Sequence, residues 1–500
     1  MTGSRPRTAP PSFPIACSPV VTPDPRDADR RPLRPPRPVP VRAYRYSKLR
    51  WRLLVWMLDT VGGLAMKVWR KFRPARRILD PKRILILQLD HLGDAVLSSP
   101  MFPRLKQAWP EAVIEVLATP SNCEVFEANP LVDRVHLAGR SWFDRRPGRR
   151  ALARAIWELG HSLKQGRYDL GIDVRGDVAS VLVMALARIP RRLGWAMGGG
   201  GFLLTDVAEW VPMRHEVASR LALLNRVGVG EPAQTANPRQ VKVHVHVSER
   251  ERRHVATQLR KEIADRLTLE RTVRPTSRQH DPTRWATSIP TGPNPTPALF
   301  KMAWPTTLTE NLRRNTSTPR WWSRFDERPL LAVHLGAGTE AKRWPPTHWR
   351  MLIDRFLEEG WRVVGLGGPE DQPLAQQVIP PPAHPHWHNW VGRLKLTETV
   401  ALLELADLFI GSDSGPAHLA ACAGVTSVVL FSGTNAIDQW RPWSPRVLAL
   451  SHRVPCRPCH RKVCPLADHP CMNGMTPERV HHAAWRWWVR NLETREVSTP

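Results

Sequence analysis

The segment FIGSDSGPAH, residues 409–418, places a carboxylate, a hydroxyl, a glycine and an imidazole within six positions: Asp413, Ser414, Gly415 and His418. The apolar run DLFIG reads as the end of a buried strand, Pro416 suits a first helical turn, and the following helix should stop at Gly424. Amides at a helix start lack intrahelical partners and attract anions. Ser414 adds a hydroxyl donor, Gly415 permits close backbone approach, and His418 on the first turn can donate to a phosphate oxygen. The chemistry this pattern suits is diphosphate binding.

Three further segments carry groups of the same kind. Strand LLAVHLG opens into AGTEAKRWPPTHWRMLIDRF, where Gly336 and Gly338 make a flexible loop, Lys342 supplies a point charge, and a helix begins near Pro346 or Thr347. In WRVVGLGGPEDQ, Glu370 and Asp371 lie just past the glycines, where a carboxylate can bind ribose hydroxyls. In KRILILQLDHLGDAVLSSP a strand and a glycine loop lead to a helix starting near Asp94. A carboxylate there is favoured by the helix dipole; facing a cleft, it would be placed to take a proton from a hydroxyl.

These loops must be held by strands. Three of them at strand C-termini within roughly a hundred residues point to one nucleotide pocket in a parallel sheet. The N-terminal half, with AVIEVLA and YDLGIDVRGDVAS, continues as a second parallel sheet, and Pro100 and Pro103 should kink or tighten its first helix. A chain of 500 residues can hold two such cores.

The order RILILQLDHLGDAVLSSP, NPLVDRVH, YDLGIDVRG, RLGWAMGGGGFLLTD, HEVASRLALLNRVGV, VHLGAGTEAKRWP, VVGLGGPED, GSDSGPAHLAACAG, VVLFSGTNAIDQWRPW resembles the glycosyltransferase family 9 heptosyltransferases. The resemblance covers roughly residues 82–247 and 329–485. It implies an α/β GT-B fold, two Rossmann-like domains with parallel sheets facing across a cleft, with the donor nucleotide held mainly by the C-terminal one. It implies transfer of a heptose from an ADP-sugar onto the inner core of lipopolysaccharide or a similar glycolipid, with inversion and without a required cofactor or catalytic metal. Position by position, Asp94 matches the catalytic base and Lys342 the diphosphate-binding lysine. Gly338, Asp413, Ser414, Gly415 and His418 match donor-binding positions. Glu370 is the counterpart of an acidic ribose ligand, with Asp371 or a neighbour as the alternative.

The chain departs from that pattern in three places. Residues 1–47, rich in proline and arginine, read as a disordered basic tail without a signal-peptide core, which argues for a cytoplasmic protein. Residues 48–80 read as an amphipathic helix, interfacial on an anionic membrane or packed on the N-terminal domain; Asp59 within its apolar run argues against a span. Residues 81–248 form the acceptor-side domain and 249–328 a charged helix followed by a Pro/Thr/Arg-rich insertion or linker. Residues 329–485 form the nucleotide-sugar domain and 486–500 a tail, with WRWWVR expected on a helix crossing back to the N-terminal domain. Cys456, Cys459, Cys464 and Cys471, spaced C-x2-C-x4-C-x6-C, form a candidate structural zinc or iron–sulfur site, with reduced thiols or a disulfide as the alternative.

The formal charge of +28 raises a nucleic-acid alternative. Residues 1–50 and 250–328 each carry a net +8, so more than half the excess lies outside the two domains, and no zinc-finger, RRM or helix-turn-helix pattern accompanies it. An anionic membrane surface, inner-membrane and cytoplasmic, is the expected partner, beside the nucleotide-sugar donor and a lipid-linked saccharide acceptor. The rivals are a Rossmann-type oxidoreductase, against which the first strand lacks a G-x-G-x-x-G fingerprint, and a non-catalytic membrane- or nucleic-acid-binding scaffold.

Overall fold

The computed structural model describes residues 40, 44, 48–72, 78–139, 149–230, 236–272, 328–379 and 384–496. The basic tail except for two residues, the Pro/Thr/Arg-rich stretch beyond Thr272 and the last four residues lie outside them.

Among the described residues, twelve strands form two six-stranded sheets, all of whose pairings are parallel. The first contains β1 (Arg83–Gln88), β2 (Val113–Ala118), β3 (Arg134–Leu137), β4 (Leu170–Asp173), β5 (Arg191–Gly194) and β6 (Asp206–Val207), in the order β3-β2-β1-β4-β5-β6. The second contains β7 (Leu330–His334), β8 (Arg362–Leu366), β9 (Trp387–Asn389), β10 (Leu408–Ser412), β11 (Thr426–Phe431) and β12 (Val447–Ser451), in the order β12-β11-β10-β7-β8-β9. Read from either edge, the two orders are the same doubly wound arrangement, whose switch points lie between β1 and β4 and between β7 and β10. Ligands of open α/β sheets bind beyond the strand C-termini at such points. Strands RILILQ and TSVVLF are apolar almost throughout because helices cover both faces of each sheet.

Local chemistry sets the element ends. The helix expected from Asp94 is two helices, Leu92–Ser98 and Met101–Ala108, because Pro100 lacks the N–H that would continue the first. The helix Gly415–Ala423 carries Pro416 in its first turn and ends at Gly424, whose φ of 70° is the left-handed cap conformation.

Two regions differ from expectation. The charged helix, Glu249–Thr272, is more than a linker: Val255, Leu259 and Ile263 are buried in the core, and its Glu262 accepts from Trp390 Nε1 at 2.8 Å and meets His388 and Arg393. Its contacts therefore attach it to the C-terminal domain. The last helix, Pro477–Glu496, runs through the boundary expected at residue 485, and Val480, Ala484 and Trp488 are buried in the C-terminal core beside Trp361. Its described side chains pack there, with the WRWWVR tryptophans, instead of crossing to the N-terminal domain. The first helix, Leu49–Phe72, docks on the N-terminal domain through Asp59, while most of its large apolar side chains are exposed. No described helix is long and apolar enough to cross a membrane.

Candidate active site between the two sheets

The strand–helix corner after β1 and the corner after β10 meet face to face. A β-carbon placed on Gly93 would lie 2.7 Å from His418 Cδ2, and one on Gly415 would lie 2.8 Å from Leu92 Cδ2. The sequence-predicted base and the predicted phosphate loop are therefore brought into one cleft.

Asp94 stands in the first turn of its short helix, its Oδ1 accepting from Arg220 Nη2 at 2.9 Å. Arg220 is buried and also donates to Ser98 Oγ at 2.7 Å and to Glu216 Oε2 at 2.5 Å. Burial would weaken its hold on a proton, but Glu216, Asp94 and Asp90 outweigh that and raise its pKa, so it stays a cation. Glu216 in turn accepts from Gln439 Nε2 of the other domain at 2.8 Å. Next to Asp94, Arg175 after β4 pairs with Asp90 at 3.3 Å and Asp177 at 3.4 Å. Asp173, at the end of β4, is pushed up to about 7 by burial, although the amides of Arg175 and Asp177 oppose the shift.

On the donor side Lys342 Nζ lies 2.7 Å from Asp413 Oδ2 and 3.2 Å from the Asp413 carbonyl oxygen. Asn435 Nδ2 donates to the same carboxylate oxygen at 2.8 Å. Asp413 thus holds the lysine ammonium at the mouth of the loop. Ser414 donates to the Ser412 carbonyl at 3.1 Å and meets His334 Nδ1 at 3.2 Å, while His334 Nε2 lies 3.5 Å from Asp371 Oδ2. Burial would raise the Asp371 pKa, but His334, the Gly368 amide and Arg343 together outweigh it and leave the carboxyl below its usual range. Asp371 also accepts from the Gly368 amide at 3.2 Å, so it serves the loop from inside. Glu370 is exposed, its carboxylate lying against Gly368 of the same loop, and Gly338, whose Cβ position faces open space, is exposed too.

His418 is buried, and its Nδ1 has no hydrogen-bond partner. Burial first, then His215, Lys342 and Arg220, lower its pKa to about 3. The ring is therefore neutral at physiological pH, and its Nδ1 is a buried polar atom left without a partner among the described residues. His215 is similarly held near 4 by burial; its Nδ1 accepts from the Val217 amide, so its Nε2–H donates to the Arg441 carbonyl of the other domain at 2.7 Å.

The corner residues Asp94, Lys342, Asp413, Ser414, Gly415 and His418 converge, while Gly338 and Glu370 sit at the rim. Sequence reasoning missed Arg220, His334 and Asn435. A polar side chain inside the apolar runs VASRLALL and LLAVHLG was the available signal for the first two; Asn435 had none. The cysteine group behaves differently: Cys471 is buried, Cys456 exposed, and among the described residues no three His, Cys, Asp or Glu side chains converge as metal ligands. The described geometry thus gives the four thiols no assembled zinc or iron–sulfur site.

The profile of glycosyltransferase family 9 (heptosyltransferase) matches residues 301–469. Lipopolysaccharide heptosyltransferase 2 of Escherichia coli K12 is 26% identical over 405 residues, covering 80% of this chain and 96% of that protein. The enzyme of the same name from Salmonella typhimurium is 24% identical over 410 residues, with the same coverage. Among solved structures, E. coli ADP-heptose lps heptosyltransferase II aligns with a TM-score of 0.57 at 21% identity, over 82% of this chain and 99% of that one. E. coli heptosyltransferase WaaC with ADP aligns at 0.52 and 15%, over 81% and 99%. At those identities the structures establish the fold, which is the two-domain GT-B arrangement. With the family profile over residues 301–469, relatives matched over nearly their full length and two facing Rossmann-like sheets together, the chain is a glycosyltransferase similar to those of glycosyltransferase family 9.

Proposed function

We propose that the protein transfers a heptose from ADP-heptose to a lipopolysaccharide core acceptor, inverting the anomeric centre in one displacement that requires no metal ion. What carries this reading is the approach of the Asp94 corner to the His418 corner across the cleft. It leaves an acceptor hydroxyl on one side, a sugar diphosphate on the other, and little room between. Arg220 occupies one Asp94 oxygen, so the other is the one positioned to take the acceptor proton as the new glycosidic bond forms. As the bond to the diphosphate breaks, Lys342, the amides from Gly415 onward and neutral His418 receive the developing charge. Asp371 or Glu370 would bind ribose hydroxyls; the inward setting of Asp371 makes it the holder of His334, leaving Glu370 the more accessible of the two.

In this reading the acceptor is lipid-linked, and the enzyme works as a peripheral protein on the cytoplasmic face of the inner membrane. The sequence relatives with heptosyltransferase names support the sugar. Incubating purified protein with a panel of nucleotide sugars and a core-saccharide acceptor tests the proposal. ADP release with ADP-heptose and an inverted linkage by NMR are expected; turnover with another donor alone, or retention of configuration, would replace it.

A further inference from the structure

The helix Leu49–Phe72 has two faces of different character. Its inner face is fixed by Asp59, the helix's sole carboxylate, which is 3% exposed and accepts from the Gly200 amide and the Tyr44 hydroxyl, each at 2.8 Å. Gly62 lies so near Phe202, and Gly199 so near Val55, that a β-carbon at either position would come within 2.7 Å. The helix is therefore seated on the loop after β5, and its rotation about its own axis is set.

That rotation turns Met57, Val61, Leu64 and Val68 outward, at the i, i+4, i+7, i+11 spacing of a single stripe, each more than half exposed. Trp51 and Trp69 stand exposed near either end, and Arg50, Lys67 and Lys71 are exposed alongside. With Asp59 turned inward, this outer surface is apolar and cationic and has no acid of its own helix. Such a face fits the boundary of an anionic bilayer, with aliphatic side chains below the headgroups, tryptophans at their level and ammonium groups on lipid phosphates. A contiguous exposed stripe of this kind is uncommon without a partner.

The seat of the helix also leads to the cleft. In the same loop, a β-carbon on Gly198 would lie 1.9 Å from the Gly176 carbonyl oxygen. Gly176 follows Arg175, whose guanidinium pairs with Asp90 on the loop that carries Asp94. We infer that the outer face of Leu49–Phe72 is a docking plate for an anionic lipid surface, rigidly joined through Asp59 and the glycine loop to the acceptor half of the cleft. Docked in this way, the Asp94 corner is held beside the leaflet that carries the acceptor. The inference rests on the lipid-linked acceptor of the proposed function for its purpose, but not for the lipid binding itself.

Vesicle co-sedimentation of the full chain tests it, using phosphatidylcholine vesicles with and without phosphatidylglycerol. The wild type should partition to the anionic vesicles, with binding falling as salt rises from ~0.1 to ~1 M, where the screening length shrinks from about 10 to about 3 Å. Val61→Glu with Leu64→Glu should reduce that partition by about tenfold or more, with calorimetric ADP binding and thermal midpoint unchanged because both side chains are exposed. Lys67→Glu with Lys71→Glu should remove the preference for anionic over neutral vesicles. Wild-type partition by either double variant would overturn the inference. So would a wild-type dimer in light scattering that the Val61/Leu64 variant converts to monomer, since the face would then belong to a second copy. Lipid binding that behaves as expected in a protein inactive on every donor would sink the proposed function and leave this inference standing.

Discussion

At the residue scale the two sides of the reaction are separable. Asp94→Asn keeps a hydrogen-bond partner for Arg220 but loses the proton acceptor, so turnover should fall at least ~10²-fold while ADP affinity measured by calorimetry stays near wild type. Lys342→Ala should act on the other side. Asp413 would keep its bond from Asn435 but lose its cation, leaving a buried carboxylate facing the phosphates. Affinity for ADP should fall far more than affinity for adenosine; equal losses would remove the lysine from the phosphates. Turnover should also persist in excess chelator, since ammonium, amides and imidazole already serve the leaving group in the proposed mechanism.

At the scale of elements, the polar support of the site is built into helices whose sequences look apolar. Arg220 is a buried cation shared by Ser98, Glu216 and Asp94, and removing one partner from such a group strands the others. Arg220→Ala should cost about 3–5 kcal/mol in chemical denaturation, besides mis-setting Asp94. A loss below about 1 kcal/mol would show that the network is not structural. These elements also show what a single chain discloses. Asp94, Lys342, Ser414 and His418 were legible because each follows an apolar strand and a glycine at a strand–helix corner, a local pattern. Arg220, His334 and Asn435 were not, because their roles arise only when distant elements converge. The break at Pro100 was foreshadowed by proline chemistry. The burial of Val255, Leu259 and Ile263 was hidden among the charges of SERERRHVATQLRKEIADRL, whose apolar stripe is narrow. The last helix misled for a related reason: tryptophan runs announce burial without saying against which sheet.

At the scale of the whole molecule, the two domains meet through polar contacts made by groups that must stay neutral or paired. His215 Nε2 reaches the Arg441 carbonyl, Trp443 Nε1 reaches the Val241 carbonyl at 2.8 Å, and His418 is enclosed by the opposite corner. Both histidines have folded-state pKa values, about 4 and about 3, below the ordinary 6.5. Below pH 6.5 the unfolded chain therefore binds protons that the folded form refuses. Their contribution is present in full above that pH and declines as pH falls toward 4 and then 3. Thermal midpoints should drop through this window, and His215→Gln should flatten the drop; an unchanged slope would place the acid sensitivity elsewhere. The same seam contains Gly93, whose missing side chain lets the two corners touch. One added methyl group, in Gly93→Ala, would act as a doorstop 2.7 Å from the His418 ring, so the gauge of the cleft is set by an atom the protein does not have.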